Sequence, residues 1–99
     1  MKLCAIFSKT GDGRFISHLD LVRLFQRASR RADMPVTVSK GFNPHLKISI
    51  SKALKLGIES VNEEAVFQLD KAVNPEDFVA AMNAKLPDNI KFLEAKVKV

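Results

Sequence analysis

Ninety-nine residues, 46% hydrophobic and 27% charged with a formal net charge of +5 at pH 7, suit one small soluble domain. No segment approaches the ~20 apolar residues of a membrane span, and the short apolar run after Lys2 reads as a strand rather than a signal peptide. The single cysteine, Cys4, excludes an internal disulfide and a self-contained cysteine-ligated iron–sulfur cluster, and it fits a reducing cytoplasm.

Lys2–Lys9 is apolar on both faces, the pattern of a central strand with Cys4 buried in it. Thr10-Gly11-Asp12-Gly13 is a turn cluster; its two glycines precede a helix, but there is no Gly-Lys-Ser/Thr ending to make a phosphate loop. Ser17 caps the helix that follows, with Asp20 at the capping-box position and Ile16 and Leu21 placed for a hydrophobic staple. That helix ends near Ala32, because Pro35 holds Met34 extended. Leu21, Leu24, Phe25, Ala28 and Ala32 form its apolar stripe, and Arg23, Arg27, Arg30 and Arg31 gather on the other side.

Val36–Ser39 is a brief extended piece and residues 40–45 form a loop. Leu46–Lys52 alternates as a strand, Ala53–Ser60 reads as an irregular connection, and Glu64–Lys71 turns Ala65, Phe67 and Leu69 inward. Asn74 and Pro75 start a second helix, with Phe78, Ala81, Met82 and Leu86 on its apolar face. Ile90–Val99 is the last strand, with Leu93, Ala95, Val97 and Val99 on one side and Lys96 and Lys98 on the other. Strand, helix, strand, strand, helix, strand predicts an α+β, ferredoxin-like βαββαβ sandwich over residues 1–99, both helices on one face of an antiparallel sheet. Leu19 and Val22 fall off the core stripe and the last strand runs to Val99. Both features lead us to expect a neighbouring domain or partner that covers Leu19 and Val22.

The stretch Arg14-Phe15-Ile16-Ser17-His18-Leu19-Asp20, followed at its separation by Lys40-Gly41-Phe42-Asn43-Pro44-His45, resembles the bacterial family of radical-SAM-linked domains of unknown function. The likeness is strong from Arg14 to Ser60 and weak to about Ala95. Members are often about twice this length, so the chain resembles the N-terminal half or a shortened form. The resemblance implies a setting beside radical SAM proteins, RNA processing and the ribosome, and no mechanism. Lys40 departs from the hydrophobic residue many members carry there and adds charge to the loop.

Charge points to a polyanion. Residues 1–55 hold eleven Lys/Arg against three Asp/Glu, and residues 56–99 hold five against eight. Arg14, Arg23, Arg27, Arg30, Arg31, Lys40 and Lys47 would hold phosphates, with Phe42 free to stack on a base, so structured RNA is the first expected partner. The outward sheet positions lack aromatics, which argues against an RRM-type reader. The alternative is a protein-interaction module whose Leu19, Val22, arginines and Phe42 loop dock a radical SAM partner or the missing half. His18 and His45 are the candidates for general acid–base RNA cleavage, provided the 40–45 loop folds back onto the start of the first helix. The dull reading has His18 packed at the core edge and His45 fixing its loop. A His18–Asp20–His45 metal site lacks a known ligand spacing. The chain reads as a non-enzymatic accessory domain with no cofactor.

Overall fold

The computed structural model describes residues 1–50 and 57–98. Along the chain lie β1 (Lys2–Lys9), a 3-10 turn (Gly11–Phe15), α1 (His18–Arg31), β2 (Ile48–Ile50), β3 (Ser60–Gln68), α2 (Pro75–Asn83) and β4 (Ile90–Lys98). The sheet order is β2-β3-β1-β4, and every neighbouring pair is antiparallel. This is the ferredoxin-like α+β arrangement that the element order implied.

Side chains explain where α1 begins and ends. Ser17 Oγ accepts the Asp20 amide at 3.1 Å, so Ser17 is the N-cap; the Asp20 carboxylate turns instead to Arg23, 3.7 Å away. At the other end the Met34 amide donates to Ser29 O and the Asp33 amide to Arg30 O, a Schellman closure with Asp33 at φ 52°. Asn74 caps α2 by accepting the amides of Glu76 and Asp77, with Pro75 in the first turn.

The core lies between the helices and one face of the sheet. Leu3, Ala5 and Phe7 of β1 and Ala65 and Phe67 of β3 point into it, and Leu21, Phe25, Phe78 and Met82 meet them from the helices. Five of the seven phenylalanines form this centre, with Phe7 and Phe25 edge to face at 5.1 Å and Phe67 and Phe78 at 5.0 Å. Ser29 is fully buried where α1 meets α2; its hydroxyl donates to Phe25 O at 2.8 Å and lies 3.9 Å from Met82 Sδ.

Several expected boundaries shift. Among the described residues β2 spans Ile48–Ile50; Leu46 forms an isolated bridge with Val38, and the expected continuation into Ser51 and Lys52 lies outside the described residues. β3 begins at Ser60 rather than Glu64, because Lys9 pairs with Ser60 across a register shift, and it ends at Gln68, after which Leu69 bridges Val36. α2 stops at Asn83 with Leu86 buried in the turn beyond it. There Lys91 Nζ donates to the Asn83 and Leu86 carbonyls at 2.8 and 2.9 Å, the groups a longer helix would have used.

In β4 the partner of Ile6 is Glu94 and that of Phe7 is Phe92, so Leu93 is an extra bulged residue. Ile90 and Phe92 thereby join the core ahead of the expected Leu93–Val97 face, and Leu93 and Val97 stay half exposed. Cys4 is half-buried on the uncovered side of the sheet, not enclosed. β1 is central within the sheet, but both helices cover the same face, so its even-numbered residues face outward.

Candidate nucleic-acid interface

The strand register sorts the chemistry-bearing residues to two ends of the molecule. Lys2 pairs with Gln68 and Lys98, whereas Lys9 pairs with Ser60 and Ile90. α1 starts just past the Lys9 end and runs back, because its C-terminal turn leads to Val36, which bridges Leu69 beside Met1. The last turns of α1, carrying exposed Arg27, Arg30 and Arg31, therefore share the Lys2 end with the 40–47 segment.

That segment is a braced loop. Val38 and Leu46 bridge across it, the Ser39 amide donates to His45 O at 2.8 Å, and the His45 amide donates to Ser39 Oγ at 3.1 Å. His45 Nδ1 lies 3.1 Å from Asn43 O and 3.2 Å from Ser39 Oγ. A carbonyl only accepts, so a hydrogen bond to Asn43 O is made by the tautomer that carries its proton on Nδ1. Gly41 turns the backbone at φ 135°, a conformation that L side chains rarely adopt. The turn throws Phe42 fully into solvent, while Lys40 is exposed beside it. His45 thus braces its own loop through Ser39 and Asn43.

Arg14 and Arg23 do not join this surface in the way the composition suggested. Arg14 lies at the Lys9 end: its guanidinium sits 4.3 Å above the Phe15 ring, donates to Gly11 O at 2.8 Å and lies 3.9 Å from Glu59. The Gly57 amide donates to Arg14 O at 2.7 Å, so the segment before β3 closes over this turn. Arg23 is paired with Asp20, both well exposed, a contact of small energetic weight. These two ion pairs are the only ones among the described residues that join an arginine to a carboxylate within 4.0 Å.

The histidines do not meet. His18 is the first residue of α1 at the Lys9 end, and His45 lies beside Lys2 and Gln68 at the other. The seven rises of β1 alone separate the two ends by about 23 Å. Folding does not bring the 40–45 loop onto the start of α1, and a single site using both rings, whether for general acid–base cleavage or as the His18–Asp20–His45 metal set, is incompatible with this topology. His18 is also exposed rather than packed at the core edge, because the first helical position projects beyond the sheet. Among the described residues no group of three His, Cys, Asp or Glu is placed to hold a metal ion. Of the expected partner-facing pair, Leu19 is 57% exposed and Val22 is half-buried.

Sequence reasoning missed part of the basic surface. A shallow hollow of about 170 Å³ opens on the uncovered sheet face between Lys2, His45, Lys47, Ser49, Val66 and Gln68. Lys96 and Lys98 stand on the same face, opposite Cys4 and Lys2. The alternation of Lys96 and Lys98 was a visible signal; their meeting with Lys2 depended on strand register. A larger hollow of about 440 Å³ between α2 and β4 has Glu76 and Glu94 in its wall, which suits no anion. The Cys4 thiol has a pKa raised above the ordinary thiol value, first by burial and then by the Glu64 carboxylate, with Lys96 and Lys98 partly opposing.

Comparison with known proteins adds a family. The chain belongs to a family described as an uncharacterized protein conserved in bacteria (DUF2344), whose model matches residues 2–98. No curated protein matches it. Among the described residues no helix is long and apolar enough to cross a membrane.

Proposed function

We propose that the chain is a non-catalytic, cytoplasmic RNA-binding accessory domain that holds phosphates at its Lys2 end. The observation that carries this reading is convergence: Arg27, Arg30 and Arg31 of α1 share one end of the fold with Lys40, Phe42 and Lys47. None of these cations has an ion-pair partner among the described residues. Arginine forks donate paired hydrogen bonds to phosphate, and a fully exposed phenyl ring offers a face to an unpaired base.

The test is binding of structured bacterial RNA at low and moderate salt, beside Arg27→Gln/Arg31→Gln. Binding that falls steeply with salt and is weakened in the variant is expected, since each lost phosphate contact removes about 0.7–0.9 from the log–log salt slope. No binding at low salt overturns the reading.

A second reading draws on the opposite end. Phe15, Leu19 and Ile58 are each more than half exposed there, close to the Arg14 turn. Such a patch suits docking of a protein partner, for which the radical-SAM resemblance suggests a radical SAM enzyme. Leu19→Glu should then abolish co-purification with that enzyme, and added salt should leave the wild-type complex intact.

A further inference from the structure

We propose that the uncovered face of the sheet, at the end where Lys2, Lys47, Lys96 and Lys98 cluster, holds the sugar–phosphate backbone of a single-stranded RNA. The strand would continue round the Lys2 end from the arginine side of α1. This inference rests on the RNA reading above and names the form of RNA and the surface that takes it.

The argument begins with register. Gln68 donates its amide to Lys47 O at 3.1 Å and pairs with Lys2, which pairs with Lys98. One cross-strand row on the open face is therefore Lys47, Gln68, Lys2, Lys98. The next row on that face is Ser49, Val66, Cys4, Lys96. Four ammonium groups occupy two adjacent rows that contain no carboxylate. Strands lie about 4.8 Å apart and alternate residues about 7 Å apart, so the four side chains stem from a patch that a few nucleotides would cover.

Like charges directly opposite one another destabilise a sheet, and Lys2 faces Lys98, with Lys96 diagonal to Lys2 and next to Lys98 on the same face of β4. Among the described residues no ion pair relieves them. Like charges left to face one another without an ion pair suit a surface that meets a polyanion. Carboxylates flank these two rows instead of standing in them, and the Glu64 side chain reaches the Cys4 thiol from the next row. Glu64 and Glu94 flank Ile6 in the third row, Asp70 accepts the Thr37 hydroxyl at 2.7 Å, and Glu76 and Asp77 belong to the first turn of α2 on the helix layer.

Neighbouring groups favour a nucleic acid over a lipid surface. The hollow beside Lys2 and Lys47 offers the Ser49 hydroxyl, the Gln68 amide and the His45 ring, which suit ribose hydroxyls and bases. Phe42, on the loop that ends in His45, is among the described residues the one fully exposed large apolar side chain, a stacking platform rather than a membrane-inserting set. A duplex does not fit the path. The molecule measures 34 × 32 × 25 Å, whereas a duplex stays straight over about 500 Å. Only a flexible strand can turn from the helix layer onto the sheet. The surface carries no outward aromatic on its strands, so the backbone rather than the base sequence is what it grips.

The experiment titrates a fluorescent, unstructured mixed-sequence oligoribonucleotide into three proteins: the full chain, Lys96→Gln/Lys98→Gln, and Arg27→Gln/Arg31→Gln. Both variants lose two positive charges, so a general loss of net charge affects them alike. Urea unfolding confirms the fold; the lysine variant is expected to be at least as stable as the parent, because it removes like-charge repulsion. The expected result is at least tenfold weaker binding by the lysine variant at low salt, with its salt slope reduced by about 1.4. Unchanged binding by the lysine variant overturns the sheet-face inference, and a simultaneous loss in the arginine variant leaves the RNA reading standing. Absence of binding by the parent chain overturns both. Sedimentation with phosphatidylserine-containing vesicles, sensitive to the lysine substitutions in a chain that ignores the oligonucleotide, would assign the face to a lipid surface instead.

Discussion

Replacing Asn83 by alanine should cost this domain more than any other single polar substitution described above. Its side-chain amide acts as a short strand at the free edge of β4: Nδ2 donates to Phe92 O at 2.9 Å and Oδ1 accepts the Phe92 amide at 2.8 Å. Phe92 is 2% exposed, so water does not readily replace the lost partners. Losing two hydrogen bonds and orphaning two shielded backbone groups costs about 2–4 kcal/mol. Alanine is the better helix former at the last position of α2 and returns roughly 0.5 kcal/mol. The net, about 2–3 kcal/mol, is a large share of the ~5–15 kcal/mol typical of a small domain and lowers Tm by about 10–20 °C. Urea unfolding with an unchanged m value measures the global loss, and hydrogen exchange of the Phe92 amide reports the local one. A loss below about 0.5 kcal/mol, with Phe92 exchange unaltered, would refute the clamp.

Three further outcomes follow from local geometry. Asp33→Gly should stabilise the chain by about 0.5–1 kcal/mol in urea unfolding, because it relieves a left-handed residue and removes a negative charge from the C-terminal end of α1. Gly13→Ala should destabilise by about 1–3 kcal/mol, since the added Cβ would lie 2.8 Å from the Asn89 carbonyl oxygen that already accepts the Thr10 amide. The alkylation rate of Cys4 should rise with pH through a midpoint above that of an ordinary thiol. Glu64→Gln should lower that midpoint by removing a negative charge that disfavours the thiolate, and Lys96→Gln/Lys98→Gln should raise it, both read by mass spectrometry of the labelled chain.

The candidate surface was half legible in the linear order. Charge and loop chemistry single out Arg27, Arg30, Arg31, Lys40, Phe42 and Lys47, and all are exposed at one end. Arg14 shares the same charge signal but lies at the other end against Glu59, because charge alone carries no direction along the fold. Lys2, 96 residues before Lys98, could be placed beside it only by the pairing of β1 with β4.

What the amino-acid order determined by itself is information within about one helical turn or one strand repeat. Ser17 and Asn74 as caps, the Leu21–Phe25–Ala28 stripe, the alternation through Leu46, Ile48 and Ile50, and hence the order of strands and helices are of this kind. Each depends on spacings of two, three or four residues that backbone geometry imposes on any chain.

What only the tertiary structure decided depends on partners far away in the chain. The bulge at Leu93 brings Phe92 into the core, and the chain closes over Lys9 until it is 1% exposed. The side chain of Asn83, the last residue of α2, reaches across to hold an edge strand, and His18 and His45 end at opposite ends of the sheet. Register and crossover direction are set by burying the whole apolar set at once. A side chain's neighbours, and with them its chemistry, exist only after that collective packing is complete.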